Sequence, residues 1–308
     1  MELSKLSRKS LIKTIFFGNY FYGFCIVALS IEAGLQQRYP LNDIIYYSMA
    51  FIATVLYYTK AYIPAKSIDS PNPRIRWYSI NKKEILLSQW ILANLLLIIT
   101  LIYLFKYING FFEMPLLNWA LLVLFPLIAL LYYGIDNEFF GKVNLRSIGW
   151  LKPFIIGFIW AGTATVYPII FKGIEQSAHY YEVNMVGTFL FIKNFMYITV
   201  LCIMFDIKDY AADSNKRIKT FVVNIGLRKT IFYIILPLCA LGVASFLIVA
   251  LIRGFSNMMI AINLIPFICL LLVAYSMHRR QSIFYYLAVI DGLMLLKGLC
   301  GIIAMSYS

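Results

Sequence analysis

Charged side chains are scarce in this chain of 308 residues. Asp, Glu, Lys and Arg together make up 13% of it, whereas hydrophobic residues make up 62% and aromatic residues 17%. Soluble globular domains carry about a quarter charged residues, so the composition excludes an ordinary soluble protein. We expect an all-α, polytopic integral membrane protein.

Cysteine motifs and linkers are also missing. The five cysteines lie in apolar runs without the Cys-x-x-Cys spacing of redox and zinc sites, so we expect them to be buried packing residues. There is no low-complexity linker, and the first apolar run lacks the cleavage site of a signal peptide. We therefore expect one transmembrane domain covering residues 1–308.

Long apolar runs predict about nine membrane spans. A hydrocarbon core of roughly 30 Å requires about 20 apolar residues per helix. Runs of that length lie near residues 11–34, 41–63, 85–108, 115–135, 150–172, 186–206, 229–253, 257–276 and 283–306.

Acidic residues are half as frequent as basic ones, 14 against 27, which gives a net charge of +13. The bases cluster before the first span and in the connections after spans two, four, six and eight, whereas the alternate connections carry few. This is the positive-inside pattern, not a nucleic-acid surface. It predicts a cytoplasmic amino terminus, an outside carboxyl terminus and residence in a bacterial cytoplasmic membrane. The basic face would also attract anionic lipid headgroups and diphosphates.

The most informative segment directly follows the sixth apolar run, where three carboxylates precede three bases. They are Asp206, Asp209, Asp213, Lys216, Arg217 and Lys219. The carboxylates are spaced i, i+3 and i+7, which places them on one side of a helix. Acids that hold a divalent cation, followed by bases that hold a phosphate, are typical of a diphosphate site. A solvated helix end with ion pairs between these acids and bases is the alternative.

This segment resembles the second aspartate-rich motif of the UbiA superfamily of intramembrane prenyltransferases, and nine spans fit that family. The resemblance implies a UbiA-like helical barrel that binds a prenyl diphosphate through Mg2+ and transfers the isoprenoid chain to a lipophilic acceptor. It implies that Asp206, Asp209 and Asp213 are the catalytic, metal-binding residues. The substrate-binding residues would be Lys216, Arg217, Lys219, Lys60, Lys66, Asp69, Arg74, Arg76, Arg146 and Lys152.

The first loop departs from the family pattern, which has an Asn-Asp-x-x-Asp motif at the end of the second span. Here Asp69 is the acid of this segment, and Lys60 and Lys66 stand among the positions where carboxylates belong. A lysine binds phosphate as a point charge, so one of them is able to replace a magnesium ion. Alternatively the site has lost prenyl transfer. Positive-inside topology alone is the competing explanation for Arg74 and Arg76.

Ionisable residues inside spans are further functional candidates, here Glu32, Lys193, Asp291 and Lys297. We expect pairing between helices for these four. Two alternative functions stay open: a non-catalytic lipid- or prenyl-binding membrane protein with the same fold, and a small transporter in which Lys193 and Asp291 would be the carriers. Terpene cyclisation on the same scaffold is a variant of the prenyltransferase function. No nucleic-acid partner and no obligate protein partner is expected beside the membrane lipids.

Overall fold

The structure, a computed structural model, describes residues 11–63, 72–133, 135–137, 141–143, 148–215, 219–277 and 285–307. These residues are mainly helical, with one antiparallel hairpin of two three-residue strands. In chain order the elements are α1 (Leu11–Phe17), α2 (Tyr20–Gln36), α3 (Ile44–Lys60), α4 (Pro73–Ile80), α5 (Lys82–Lys106), α6 (Ile108–Phe112), α7 (Leu116–Tyr133), β1 (Ile135–Asn137), β2 (Gly141–Val143), α8 (Lys152–Gln176), α9 (Met185–Asn215), α10 (Phe221–Ile225), α11 (Leu227–Arg253), α12 (Asn257–Ser276) and α13 (Tyr286–Met305).

Among the described residues, six helices are long and apolar enough to cross a membrane, and a bent pair brings the number to seven. The helices at the second and fourth predicted positions, α3 and α7, have 17 and 18 residues. Both are shorter than the roughly 20 residues that a straight span needs. The integral membrane class is therefore supported, the number of nine spans is not confirmed, and the single domain over residues 1–308 stays a prediction.

The first predicted span, residues 11–34, is not one straight helix. α1 and α2 meet at an angle of 63°, and the break falls at Gly18 and Asn19. Asn19 has the left-handed backbone conformation, with φ of 66°, which asparagine tolerates better than most residues. The break leaves the last carbonyl groups of α1 to be satisfied by other segments.

Three helices contain a short π-helical turn, at Gly162–Val166 in α8, Ile231–Ile235 in α11 and Tyr286–Ile290 in α13. In α8 and α11 a proline, Pro168 or Pro237, follows within two residues. Proline lacks an amide hydrogen and clashes with the preceding turn, and a wider π turn relieves that conflict. The third π turn ends immediately before Asp291.

Small residues bring the inner helices into close contact. A Cβ added to Gly157 of α8 would lie 2.2 Å from Thr199 Oγ1 on α9, and one added to Gly298 of α13 would lie 2.8 Å from Cβ of Ala28 on α2. Close backbone approach is the usual basis of helix packing in lipid. In contrast, α5 presents apolar side chains to the outside, with Trp90 65% exposed and Phe105 79% exposed, as expected for a lipid-facing helix.

The cysteine prediction agrees with the structure for the most part. Cys25, Cys239 and Cys300 are buried, Cys202 and Cys269 are half-buried, and all five are free thiols.

Candidate functional site

Asp206 is the member of the predicted acidic motif whose side chain the structure describes. It is 1% exposed, and its Oδ1 atom accepts a charged hydrogen bond of 2.6 Å from Lys152 Nζ. A buried carboxylate needs such a partner, because leaving the charge unpaired costs several kcal/mol. Lys152 is the first residue of α8, and its side chain is 23% exposed. The structure thus brings together two residues that were predicted for the site.

The predicted helix through the acidic motif is confirmed, since α9 continues to Asn215. Asp209 and Asp213 therefore lie on the same face of α9 as Asp206, although their side chains are outside the description. Lys60, Arg76 and Lys219 are described and exposed. The remaining predicted residues lie outside the described ranges: Lys66, Asp69, Arg146, Lys216 and Arg217.

Arg74 is buried and contacts the break in the first helix. Its guanidinium donates to the Phe17 carbonyl at 3.2 Å and to the side-chain oxygen of Asn19, and it lies 4.1 Å from the centre of the Tyr62 ring. A positive charge at the carboxyl end of α1 is favourable for the helix dipole. Arg74 therefore stabilises the break, a role that the sequence did not predict.

Asn19 joins three segments at the same place. Its amide nitrogen donates to Thr59 Oγ1 at 3.1 Å and to the Tyr78 hydroxyl at 3.0 Å. The Tyr78 hydroxyl in turn donates to the Phe17 carbonyl at 2.9 Å. Burial raises the pKa of Tyr78, which keeps the hydroxyl protonated as a donor. These bonds tie the ends of α1 and α3 to α4.

An apolar cavity of about 230 Å³ lies between α2, α3, α7 and α8. Its wall includes Tyr58, Phe125, Ile156 and Trp160. Ile156 and Trp160 follow Lys152 on α8 at i+4 and i+8, so Lys152 stands on the same side of α8 one turn beyond the cavity. The volume is somewhat below the ~300 Å³ at which pockets begin to enclose drug-sized ligands, and suits part of a long apolar chain.

Asp291 and Tyr22 lie next to the aromatic wall of the cavity. Asp291 is 3% exposed and accepts a hydrogen bond of 2.9 Å from the Tyr22 hydroxyl. The Tyr22 ring stacks on the Tyr58 ring at 4.6 Å between centres. Trp160 Nε1 donates to the Tyr58 hydroxyl at 2.5 Å. Tyr210 is 47% exposed, and Tyr62 lies against Arg74.

The remaining intramembrane charges form a separate buried cluster, which we call the inner triad: Glu32, Lys193 and Lys297. The two carboxylate oxygens of Glu32 lie 2.8 Å from Lys193 Nζ and 2.6 Å from Lys297 Nζ. All three side chains are at most 3% exposed, and Gln36 accepts a further bond of 2.6 Å from Lys193. The predicted pairing between helices is confirmed, because α2, α9 and α13 each supply one member.

The described side chains include no cluster of metal ligands. Among the parts of the chain that the structure covers, no group of three or more His, Cys, Asp or Glu side chains lies close enough to hold a metal. Asp206 has Lys152 beside it, and Asp291 has the Tyr22 hydroxyl. Magnesium requires several oxygen ligands, of which one or two carboxylates and the substrate phosphates are the usual ones. The magnesium site at Asp206, Asp209 and Asp213 therefore stays a prediction.

No protein-family model matches this chain, and no curated protein matches it. The solved structure of a digeranylgeranylglyceryl phosphate synthase in membranes is similar, with a TM-score of 0.56 over 97% of this chain and 100% of that chain. Sequence identity is 15%. The chain has a UbiA-like fold. At that identity the similarity concerns the fold, which agrees with the resemblance of the second acidic motif.

Sequence reasoning missed Tyr22, Trp160 and the placement of Asp291. Asp291 was a candidate because it is an acid in an apolar run, but its partner is 269 positions away. Trp160 carries no signal of its own, since aromatic residues are frequent throughout the chain. The spacing of Lys152, Ile156 and Trp160 on one helical face was the available signal for the cavity.

Proposed function

We propose that this protein is a membrane-embedded prenyltransferase, which moves an isoprenoid chain from a prenyl diphosphate to a lipophilic acceptor. One observation carries the proposal: Lys152, which pairs with the buried Asp206 carboxylate, lies on the same face of α8 as the residues that line an aromatic, apolar cavity. A prenyl diphosphate has the matching chemistry, a multiply charged head on an apolar chain. The UbiA-like fold supports the same assignment.

Lys152 would bind the diphosphate. Its side chain is 23% exposed, and lysine binds phosphate oxygens as a point charge. Asp206 would act as a positioning residue, because its Oδ1 holds the Lys152 ammonium at 2.6 Å. Positive charge at this place also favours loss of diphosphate, since negative charge grows on the leaving oxygen as the carbon–oxygen bond breaks.

The apolar cavity would hold part of the isoprenoid chain or of the acceptor. Tyr58 and Trp160 line it, and aromatic faces attract cations. Prenyl transfer passes through an allylic cation, so aromatic faces suit the reacting end of the donor. The absence of water in an apolar cavity also protects that cation from hydrolysis.

Direct binding measurements test the proposal. The purified protein in detergent or nanodiscs would be titrated with prenyl diphosphates of several chain lengths, with and without Mg2+, followed by assays of diphosphate release in the presence of lipophilic acceptors. Lys152→Met should weaken donor binding at least ten-fold, about 1.4 kcal/mol. Lys106→Met is the matched control, because Lys106 is 51% exposed and pairs with Asp43 elsewhere.

The outcomes separate the alternatives. Donor binding with diphosphate release in the parent, and its loss in Lys152→Met, supports the proposal. Donor binding without release under every acceptor condition would favour the non-catalytic prenyl-binding protein. Failure of the parent to bind any prenyl diphosphate would refute both. Release that requires Mg2+ would support the magnesium site predicted at Asp206, Asp209 and Asp213.

A further inference from the structure

Asp291 is buried at the inner end of the candidate site. It directly follows the π turn of α13, and its main chain lies against α2, where Cys25 Sγ is 4.0 Å from the Asp291 carbonyl oxygen. The side chain accepts the Tyr22 hydroxyl at 2.9 Å. Neither the acidic motif nor the first loop contains this residue, and the function proposed above does not use it.

Asp291 shares its electrostatic surroundings with Asp206 and Lys152. The Cys202 thiol, one turn before Asp206 on α9, interacts electrostatically with all three of these residues. Arg74 and Asp291 also attract each other. Asp206, Lys152, Asp291 and Arg74 are therefore close enough to influence one another electrostatically.

The depth of Asp291 follows from the packing of α13 on α9. The Tyr286 ring lies 6.3 Å from the ring of Phe205, the residue before Asp206. Asp291 is five positions after Tyr286, which corresponds to roughly 7.5 Å along a helix. It thus lies further into the bundle than the acid–base pair, at the level where a donor bound through Lys152 would place its first carbons.

Aromatic faces surround the same place. The Tyr22 ring stacks on Tyr58 and meets the Trp160 ring edge-on at 6.4 Å, and Tyr58 and Trp160 line the apolar cavity. A carboxylate next to aromatic rings that form the wall of an apolar cavity is complementary to a delocalised carbocation.

We propose that Asp291 stabilises the allylic cation that forms when the prenyl diphosphate ionises; this inference rests on the function proposed above. The bond between the first isoprenoid carbon and the bridging oxygen breaks, and its electron pair leaves with the diphosphate. The positive charge spreads over the allylic carbons, facing the Asp291 carboxylate. The nucleophilic atom of the acceptor then bonds to the first carbon, and its proton goes to the released diphosphate.

The sign of the electrostatic effect makes the proposal testable. The Asp291 carboxylate repels the bound diphosphate, so it does not help the ground state, but it attracts the cation. An interaction that is stronger in the transition state raises the rate without tightening substrate binding. Removal of the charge should therefore slow the reaction while donor affinity stays equal or increases.

Asp291→Asn is the decisive variant. It is compared with the parent in three measurements: affinity for the prenyl diphosphate, the rate of diphosphate release in a single turnover, and the midpoint of thermal unfolding. We expect at least a 100-fold lower rate with donor affinity within three-fold of the parent. Tyr22→Phe removes the hydrogen bond to Asp291 but keeps the ring and the carboxylate, so it should retain at least a tenth of the rate. Asp291→Glu keeps the charge and carries the test if the Asn variant does not fold.

Three results would overturn the proposal. One is a parallel loss of affinity and rate in Asp291→Asn, which would indicate a binding or structural role. Another is a folded Asp291→Glu as slow as the Asn variant. The third is a rate in Asp291→Asn within ten-fold of the parent. A parent that binds no prenyl diphosphate refutes the proposed function itself and is recognised before any variant is compared.

Discussion

Replacement of Glu32 by glutamine should destabilise the protein far more than replacement of either lysine of the inner triad. One carboxylate serves two ammonium groups, at 2.8 Å and 2.6 Å, and none of the three side chains is more than 3% exposed. Glutamine keeps the size of the side chain but removes the negative charge. Two buried lysines would then face each other without a counter-ion.

The expected magnitudes follow from the count of charges. Removal of one partner of a buried ion pair costs about 3–5 kcal/mol, and we place Glu32→Gln in this range. Lys297→Met leaves a one-to-one pair between Glu32 and Lys193, at the cost of one charged hydrogen bond of about 1.5–3 kcal/mol. Loss of the repulsion between the two lysines offsets part of that cost, so Lys297→Met should be the milder change.

The double variant gives the sharpest result. Lys297→Met in the Glu32→Gln background removes one of two unpaired charges, so it should restore about 1 kcal/mol or more of stability rather than subtract from it. Groups in one network commonly show coupling of 0.5–3 kcal/mol in such cycles. Unfolding in detergent, followed by tryptophan fluorescence, measures all four proteins. Lys229→Met, at an exposed position, controls for the substitution itself.

Additive effects in the double variant would refute the shared-charge reasoning, as would equal costs of Glu32→Gln and Lys297→Met. A fully stable Glu32→Gln variant would mean that water or a bound anion reaches the two lysines.

Three further predictions concern the ends of the helices. Arg74→Met should lower stability by about 1–3 kcal/mol, the cost of a buried group left unsatisfied, because the side-chain oxygen of Asn19 loses the guanidinium that donates to it, whereas the Phe17 carbonyl keeps the Tyr78 hydroxyl. A variant that keeps its unfolding midpoint but loses binding of the prenyl diphosphate would instead make Arg74 a substrate residue. The hydrogen bond from Lys106 holds the pKa of Asp43 at about 2, below its ordinary 3.8. The contribution of this carboxylate to stability is therefore complete above pH of about 4 and is lost as the pH falls towards 2. The unfolding midpoint of the parent should fall over this pH range, and that of Asp43→Asn should fall less. Of Lys60→Ala and Lys66→Ala, tested singly, at least one should bind the prenyl diphosphate ten-fold more weakly, about 1.4 kcal/mol. Unchanged titration curves for both variants would mean that the first loop does not contact the prenyl diphosphate.

The sequence predicted best those features that depend on neighbouring positions along the chain. The acidic motif lies on one helix because its spacing of three and four residues matches the helical repeat, and α9 does continue through it. The membrane class follows from composition. The bend of the first span had a visible signal in the pair Gly18–Asn19, since both residues tolerate left-handed backbone, but apolar composition alone did not show it.

Partners across the bundle were not predictable in the same way. The sequence predicted that Glu32 and Lys297 pair with residues on other helices, but not that they pair with each other, because they are 265 positions apart. Their contact depends on Gly301, where an added Cβ would lie 2.3 Å from the Glu32 side chain. Arg74 was assigned to topology or diphosphate binding, because nothing in its own loop shows that it reaches the end of α1. Such contacts arise from packing rather than from local pattern.

The inner triad and the candidate site share α13, and this connects stability with activity. Lys297 and Asp291 are six positions apart, so they point to different sides of the helix. Lys297 binds Glu32 of α2, and Asp291 binds Tyr22 of the same helix. An ion pair and a hydrogen bond to a carboxylate thus hold α13 on α2 at two levels, and we expect loss of one to shift the other. A variant of the triad that still folds, such as Lys297→Met, should therefore displace Asp291 by less than a helical turn and slow diphosphate release without weakening donor binding. That pattern would distinguish misplacement of Asp291 from damage to the Lys152–Asp206 pair, which should weaken binding first.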